Sequence, residues 1–74
     1  MEILLYGTKG CHLCDAACVM LEQSGMHAEY IDIAHDDALL ARYGMRIPVL
    51  ERTDSGAELG WPFDQAEMMR FLSG

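Results

Sequence analysis

An apolar run, Ile3-Leu4-Leu5-Tyr6, leads through Gly7-Thr8-Lys9-Gly10 into Cys11-His12-Leu13-Cys14, and this order constrains the chain more than any other feature. Residues 2–7 read as a strand buried on both faces, because the apolar positions do not alternate with polar ones. Residues 12–24 read as a helix, with Cys14, Ala17, Cys18 and Leu21 at i, i+3, i+4 and i+7 forming one apolar stripe. Gly25 stands where a left-handed C-terminal cap is wanted. Two cysteines therefore lie where a strand hands over to a helix. The unpaired N–H groups and positive dipole end of a helix start favour a thiolate over a thiol. Lys9 adds a mobile positive charge two residues before Cys11. The two-residue gap lets one sulfur attack a disulfide while the other closes the ring that releases it. Zinc sites share this spacing, so the flanking strand and helix carry the distinction.

The rest of the chain alternates in the same manner. Ala28 to Ile33 reads as a second strand, with Tyr30, Ile31 and Ile33 as β-formers. Asp36 and Asp37 open a short helix carrying Leu39, Leu40 and Tyr43, with Arg42 in its last turn and Gly44 just after. Ile47-Pro48-Val49-Leu50 and residues 57–61 are two extended runs, and Asp54-Ser55-Gly56 has the composition of a hairpin turn between them. Asp64 and Glu67 signal the start of a last helix, Phe63 and Met68 are placed as a hydrophobic staple, and Met68, Phe71 and Leu72 form its buried side. The predicted order is βαβαββα. A strand-helix-strand crossover of this length implies parallel pairing of the first two strands, and the hairpin adds two antiparallel ones. The expectation is an α/β domain with a four-stranded mixed sheet, helices on both faces, and one domain over residues 1–74. That length lies near the lower limit for a self-sufficient core.

Composition narrows the function. The net charge is −7, and the five basic residues, Lys9, Arg42, Arg46, Arg52 and Arg70, are scattered. Nucleic acid and anionic membrane surfaces are therefore not expected partners. No apolar segment approaches the ~18–20 residues that span a bilayer. Met-Glu at the start lacks the positive region of a secretory signal, which leads to the expectation of a cytoplasmic, monomeric protein. Three cysteines are too few and odd in number for a disulfide framework.

The segment Tyr6-Gly7-Thr8-Lys9-Gly10-Cys11-His12-Leu13-Cys14, with Ile47-Pro48-Val49 downstream, resembles a glutaredoxin of the thioredoxin superfamily across nearly the whole chain. It is most similar to the small glutaredoxin-like proteins with a His-Leu pair between the cysteines and a Trp-x-Phe-Asp segment, here Trp61-Pro62-Phe63-Asp64. The resemblance implies a thioredoxin-like fold and thiol–disulfide oxidoreductase activity, with Cys11 the attacking thiolate, Cys14 the resolving thiol and Pro48 a cis-proline facing them. It implies that Ile47 offers its backbone N–H and C=O to a substrate strand. Two departures shape the expectations for substrate. His12-Leu13 replaces the usual Pro-Tyr pair, and Leu59-Gly60-Trp61-Pro62-Phe63-Asp64 replaces the Gly-Gly-x-Asp segment that receives glutathione, leaving Asp64 as the only counterpart. Trp61 and Asp64 join Ile47 and Pro48 as expected substrate-binding residues. Protein or small-molecule disulfides are the expected substrates, with glutathione or a reductase as electron donor and no resident cofactor or metal.

Several residues carry a second reading. Cys18 reads first as a small buried hydrophobe, and otherwise as a third ligand beside Cys11 and Cys14 in a metal or iron–sulfur protein. His12 reads as a cation beside the Cys11 sulfur or as a solvated helix-start residue. His27 and His35 read as solvated, Trp61 as a lid on the sheet edge, and Met20, Met45, Met68 and Met69 as core filling.

Overall fold

The structure, a computed structural model, describes residues 2–73. Strand β1 (Ile3–Gly7) is followed by helix α1 (His12–Gln23), strand β2 (Glu29–Asp32), a single 3₁₀ turn (Ile33–His35) and helix α2 (Asp37–Tyr43). Strands β3 (Val49–Arg52) and β4 (Glu58–Gly60) and helix α3 (Gln65–Ser73) complete the chain. The sheet order is β2-β1-β3-β4, with β1 parallel to β2 and antiparallel to β3, and β4 antiparallel to β3. This is the α/β thioredoxin-like arrangement.

Alternation along the central strands sorts the side chains between two cores. Ile3 and Leu5 of β1 and Leu50 of β3 pack with Ala17 and Leu21 of α1, Met68 and Leu72 of α3, and Phe63. Tyr6 and Val49 turn to the other face and meet Ile33 and Tyr43. Helices α1 and α3 therefore cover one face and α2 the other. Fully burying a side chain such as Leu50 contributes about 2–3 kcal/mol, and truncating it to Ala costs about 2–5 kcal/mol once the cavity is counted.

Local signals explain most boundaries. Gly25 has φ +71°, and bonds from Gly25 N–H to the Glu22 carbonyl and from Met26 N–H to the Leu21 carbonyl close α1 in a Schellman cap. Asp36 caps α2 by accepting from the N–H groups of Ala38 and Leu39 at 2.9 and 3.2 Å. Asp64 caps α3, its carboxylate accepting from Glu67 N–H at 2.7 Å.

Some expectations are corrected. The second strand stops at Asp32, because Asp32 accepts from Ala34 N–H at 2.9 Å and turns Ile33 into the 3₁₀ turn. The third strand runs over Val49–Arg52 rather than from Ile47, since a proline cannot donate to a ladder. Met45 is fully exposed and fills no core, and Met69 lies on the surface as well.

Candidate active site

Residue types at the end of β1 build the site. Gly10, with φ +84°, turns the chain so that Cys11 becomes the N-cap of α1 in extended conformation. A capping side chain must accept a hydrogen bond, and here the acceptor is sulfur. Cys11 Sγ takes the backbone N–H of Cys14 at 3.1 Å. The N-cap position puts that sulfur at the positive end of the helix dipole. The two sulfurs lie at disulfide distance, with a Cα–Cα separation of 5.2 Å. Cys11 is half-buried, whereas Cys14 has no exposed surface at all. One sulfur can meet a partner and the other is covered.

Sheet register brings further residues to this end. Tyr6 pairs with Val49 and Val49 with Gly60, so Gly7, Pro48 and Trp61 follow one another across the end of the sheet where α1 begins. The Trp61 N–H donates to the Pro48 carbonyl at 3.0 Å. The Ile47–Pro48 peptide is cis, and so is Trp61–Pro62. Trp61 is half-buried with its ring edge-on to Phe63, at a centroid distance of 5.1 Å. The Ile47 N–H donates to the Tyr43 carbonyl at 3.2 Å. Of the two Ile47 backbone groups expected to face a substrate strand, the N–H is thus committed, and among the described residues the carbonyl takes no hydrogen bond.

Lys9 and His12 are exposed. The charge of Lys9 acts on Asp32, whose carboxyl is held below the usual carboxylate range by the Ala34 N–H first, then by the Thr8 hydroxyl at 3.1 Å and by the charges of His35 and Lys9. Asp32 thereby ties the loop that carries Lys9 to the end of β2. Asp64 is set apart from the other expected residues. Its neighbour Gln65 donates to the Ser24 hydroxyl at 2.7 Å, at the end of α1 remote from the cysteines. Helix α1 is about 18 Å long, so the start of α3 is fixed well away from the dithiol. The Asp64 carboxylate is already committed to its own helix.

Cys18 is half-buried on the stripe predicted for it and lines a small cavity of about 180 Å³ with Leu5, Leu21, Met26, Ala28 and Tyr30. Burial pushes its thiol pKa up, reinforced by Asp15 and Glu22. Among the described residues no three His, Cys, Asp or Glu side chains gather as a metal-ligand group, so Cys11, Cys14 and Cys18 do not converge as the alternative reading requires. No helix among these residues is long and apolar enough to cross a membrane.

Two participants escaped the sequence. A Cβ on Gly7 would lie 2.7 Å from the Tyr30 hydroxyl and 3.0 Å from Cys14 Sγ, so the glycine leaves room for the end of a β2 side chain near Cys14. Tyr30 showed only a β-forming preference, and nothing in its local sequence announces that contact.

The chain matches the family described as "Glutaredoxin-like domain (DUF836)" over residues 2–73. No curated protein matches it. Among solved structures it is similar to the X-ray structure of target protein XcR50 from X. campestris, at 40% identity and a TM-score of 0.88, covering 97% of this chain and 96% of that one. It is also similar to Ne2328 from Nitrosomonas europaea, at 28% identity and a TM-score of 0.71, covering 95% and 88%. Thioredoxin 1 from Thermosipho africanus TCF52B, at 18% identity and a TM-score of 0.63 over 99% and 96% of the two chains, shares the fold.

Proposed function

The chain belongs to the glutaredoxin-like family of the thioredoxin superfamily, and from that membership we propose a thiol–disulfide oxidoreductase in which Cys11 attacks and Cys14 resolves. The family and the paired cysteines support a thiol redox role in general. The finer assignment rests on one observation: Cys11 Sγ caps α1 and accepts the Cys14 N–H, while Cys14 is wholly covered. A hydrogen bond and a helix dipole aimed at one sulfur lower that thiol's pKa and leave the other protonated.

In the reduced protein, the Cys11 thiolate attacks one sulfur of a substrate disulfide. The substrate S–S bond breaks, its second sulfur departs as a thiolate, and a Cys11–substrate mixed disulfide forms. Cys14 then gives its proton to the departed thiolate and attacks Cys11, closing the Cys11–Cys14 bond and expelling the second substrate sulfur as a thiolate, which takes a proton from water. The substrate gains two electrons and the dithiol loses them. Lys9 supplies positive charge two residues before the attacking sulfur, and His12 stands next to it at the first position of α1. Ile47, Pro48 and Trp61 form the surface on which a substrate lies, with the Ile47 carbonyl as acceptor. A protein or small-molecule disulfide is the substrate, and a thiol or a reductase restores the dithiol. We assign Asp64 to capping α3 rather than to substrate. Glutathione is a poor partner on this reading, because its carboxylates need free N–H donors. At α3 the Glu67 N–H is taken by the Asp64 carboxylate, whose charge repels an anion, and Pro62 supplies none.

Reduction of a protein disulfide with dithiothreitol, run beside a glutathione mixed-disulfide assay, tests the proposal. Turnover of the protein disulfide and weak turnover with glutathione are expected. A folded protein that exchanges with no disulfide overturns the oxidoreductase reading, and strong glutathione turnover overturns the substrate assignment.

A further inference from the structure

Tyr30 belongs to β2 and pairs in register with Leu5. Its side chain reaches towards Gly7, where its hydroxyl and Cys14 Sγ lie 2.7 and 3.0 Å from the position a Cβ would take. The ring lines the cavity that also holds Cys18. Among the described residues the hydroxyl donates no hydrogen bond, unlike those of Tyr6 and Tyr43, which are bonded to Glu51 and Glu58. Any thiol that cleaves the Cys11–Cys14 bond at Cys11 must expel Cys14 as a thiolate into a place without solvent contact. A buried anion with no donor is costly, and a neutral hydroxyl one short movement away removes that cost.

We infer that the Tyr30 hydroxyl is the hydrogen-bond donor to the Cys14 thiolate, and that Gly7 is glycine so that this donor can reach it. The inference rests on the dithiol reading above and adds a residue to it. When a reducing thiolate attacks Cys11 Sγ, the electron pair of the S–S bond passes to Cys14, and Tyr30 donates to the developing anion until a proton arrives. In the opposite direction the same bond stabilises the Cys14 thiolate as it attacks the mixed disulfide. Tyr30 is 42% exposed as a whole, yet partial desolvation raises its pKa above the ordinary 10.0, with Cys18, Asp32 and Asp15 reinforcing the shift, so the hydroxyl keeps its proton at neutral pH. The groups facing the pair are Cys11, Asp15 and Cys18 from α1 and Asp32 from β2. The three besides Cys11 are common to the variants compared below or removed from both.

The test follows Cys14 alone. In a Cys11→Ser/Cys18→Ala background, the Cβ chemical shift of Cys14 is followed by NMR across pH, with Tyr30 intact, Tyr30→Phe and Tyr30→Ala. Tyr30→Phe keeps the ring and removes only the donor. Its Cys14 titration midpoint is expected to rise by about one pH unit. In the otherwise wild-type chain, the same substitution should slow reduction of the Cys11–Cys14 bond by dithiothreitol about threefold. An unchanged midpoint in Tyr30→Phe overturns the inference, as does a shift confined to Tyr30→Ala, which would trace the effect to the cover of the ring. A shifted midpoint in a chain that turns over no disulfide supports the Tyr30 contact and overturns the oxidoreductase reading instead.

Discussion

Two helix starts solve the same physical problem with different side chains. At α1 the Cys14 N–H is met by the sulfur of Cys11, and at α3 the Glu67 N–H by the carboxylate of Asp64. The carboxylate carries its charge at all working pH values and its bond is permanent. On the mechanism proposed above, the sulfur is neutral in the disulfide and anionic in the reduced dithiol, so the interaction with the helix changes strength between the two states. A fixed cap stabilises a fold, whereas a cap whose charge depends on redox state couples the helix to chemistry. The surroundings follow the same division. The start of α1 stands at the sheet end that carries Gly7, Pro48 and Trp61, while the start of α3 is tied to Ser24 at the far end of α1.

The comparison can be broken at either helix. Cys11→Ser should abolish disulfide exchange, because the only half-buried sulfur at a helix start is lost, and a protein-disulfide reduction assay reads this directly. Asp64→Ala should leave exchange intact and cost about 1 kcal/mol of stability, the usual value of a lost N-cap, measured by denaturant unfolding. If Asp64→Ala removed exchange in a folded protein, the division between the two caps would fail. Cys18→Ala should preserve exchange and cost about 1 kcal/mol through lost packing. In limited alkylation near neutral pH, Cys18 should react slowly, since burial, Asp15 and Glu22 raise its thiol pKa. The smallest effect concerns alkaline pH. Tyr6 and Tyr43 titrate above their ordinary value of 10.0 in the folded state, through burial and through Glu51 and Glu58. Groups with raised folded-state pKa stabilise fully below the unfolded value, so stability should begin to fall above about pH 10.

The elements were legible because their signals are local. Stripe spacing gave α1, the Asp36 and Asp64 caps gave the starts of α2 and α3, and Asp54-Ser55-Gly56 gave the hairpin. The dithiol was legible because strand, glycine turn and cysteine pair are contiguous. The misreadings concern residues whose role depends on distant chain. Met45 looked like core filling, yet the turn after α2 carries it fully into solvent. The Ile47 N–H looked free until α2 supplied the Tyr43 carbonyl. For Asp64, which the resemblance matched to a substrate-binding position, the capping role proposed above rests on a neighbour, Gln65, held by Ser24 at the other end of α1. Tyr30 and Cys14 both approach Gly7 because parallel pairing of β1 and β2 places Tyr30 beside the strand that ends there. No pattern of neighbouring residues encodes that proximity.

The roles assigned to the two sulfurs at the start of α1 are tested most directly by trapping. Cys14→Ser removes the resolving thiol, so a substrate disulfide should remain bonded to the protein after one attack. Digestion and peptide mapping of that adduct should place the substrate sulfur on Cys11. An adduct on Cys18, or a folded variant that forms no adduct, would contradict the assignment of Cys11 as the attacking thiolate.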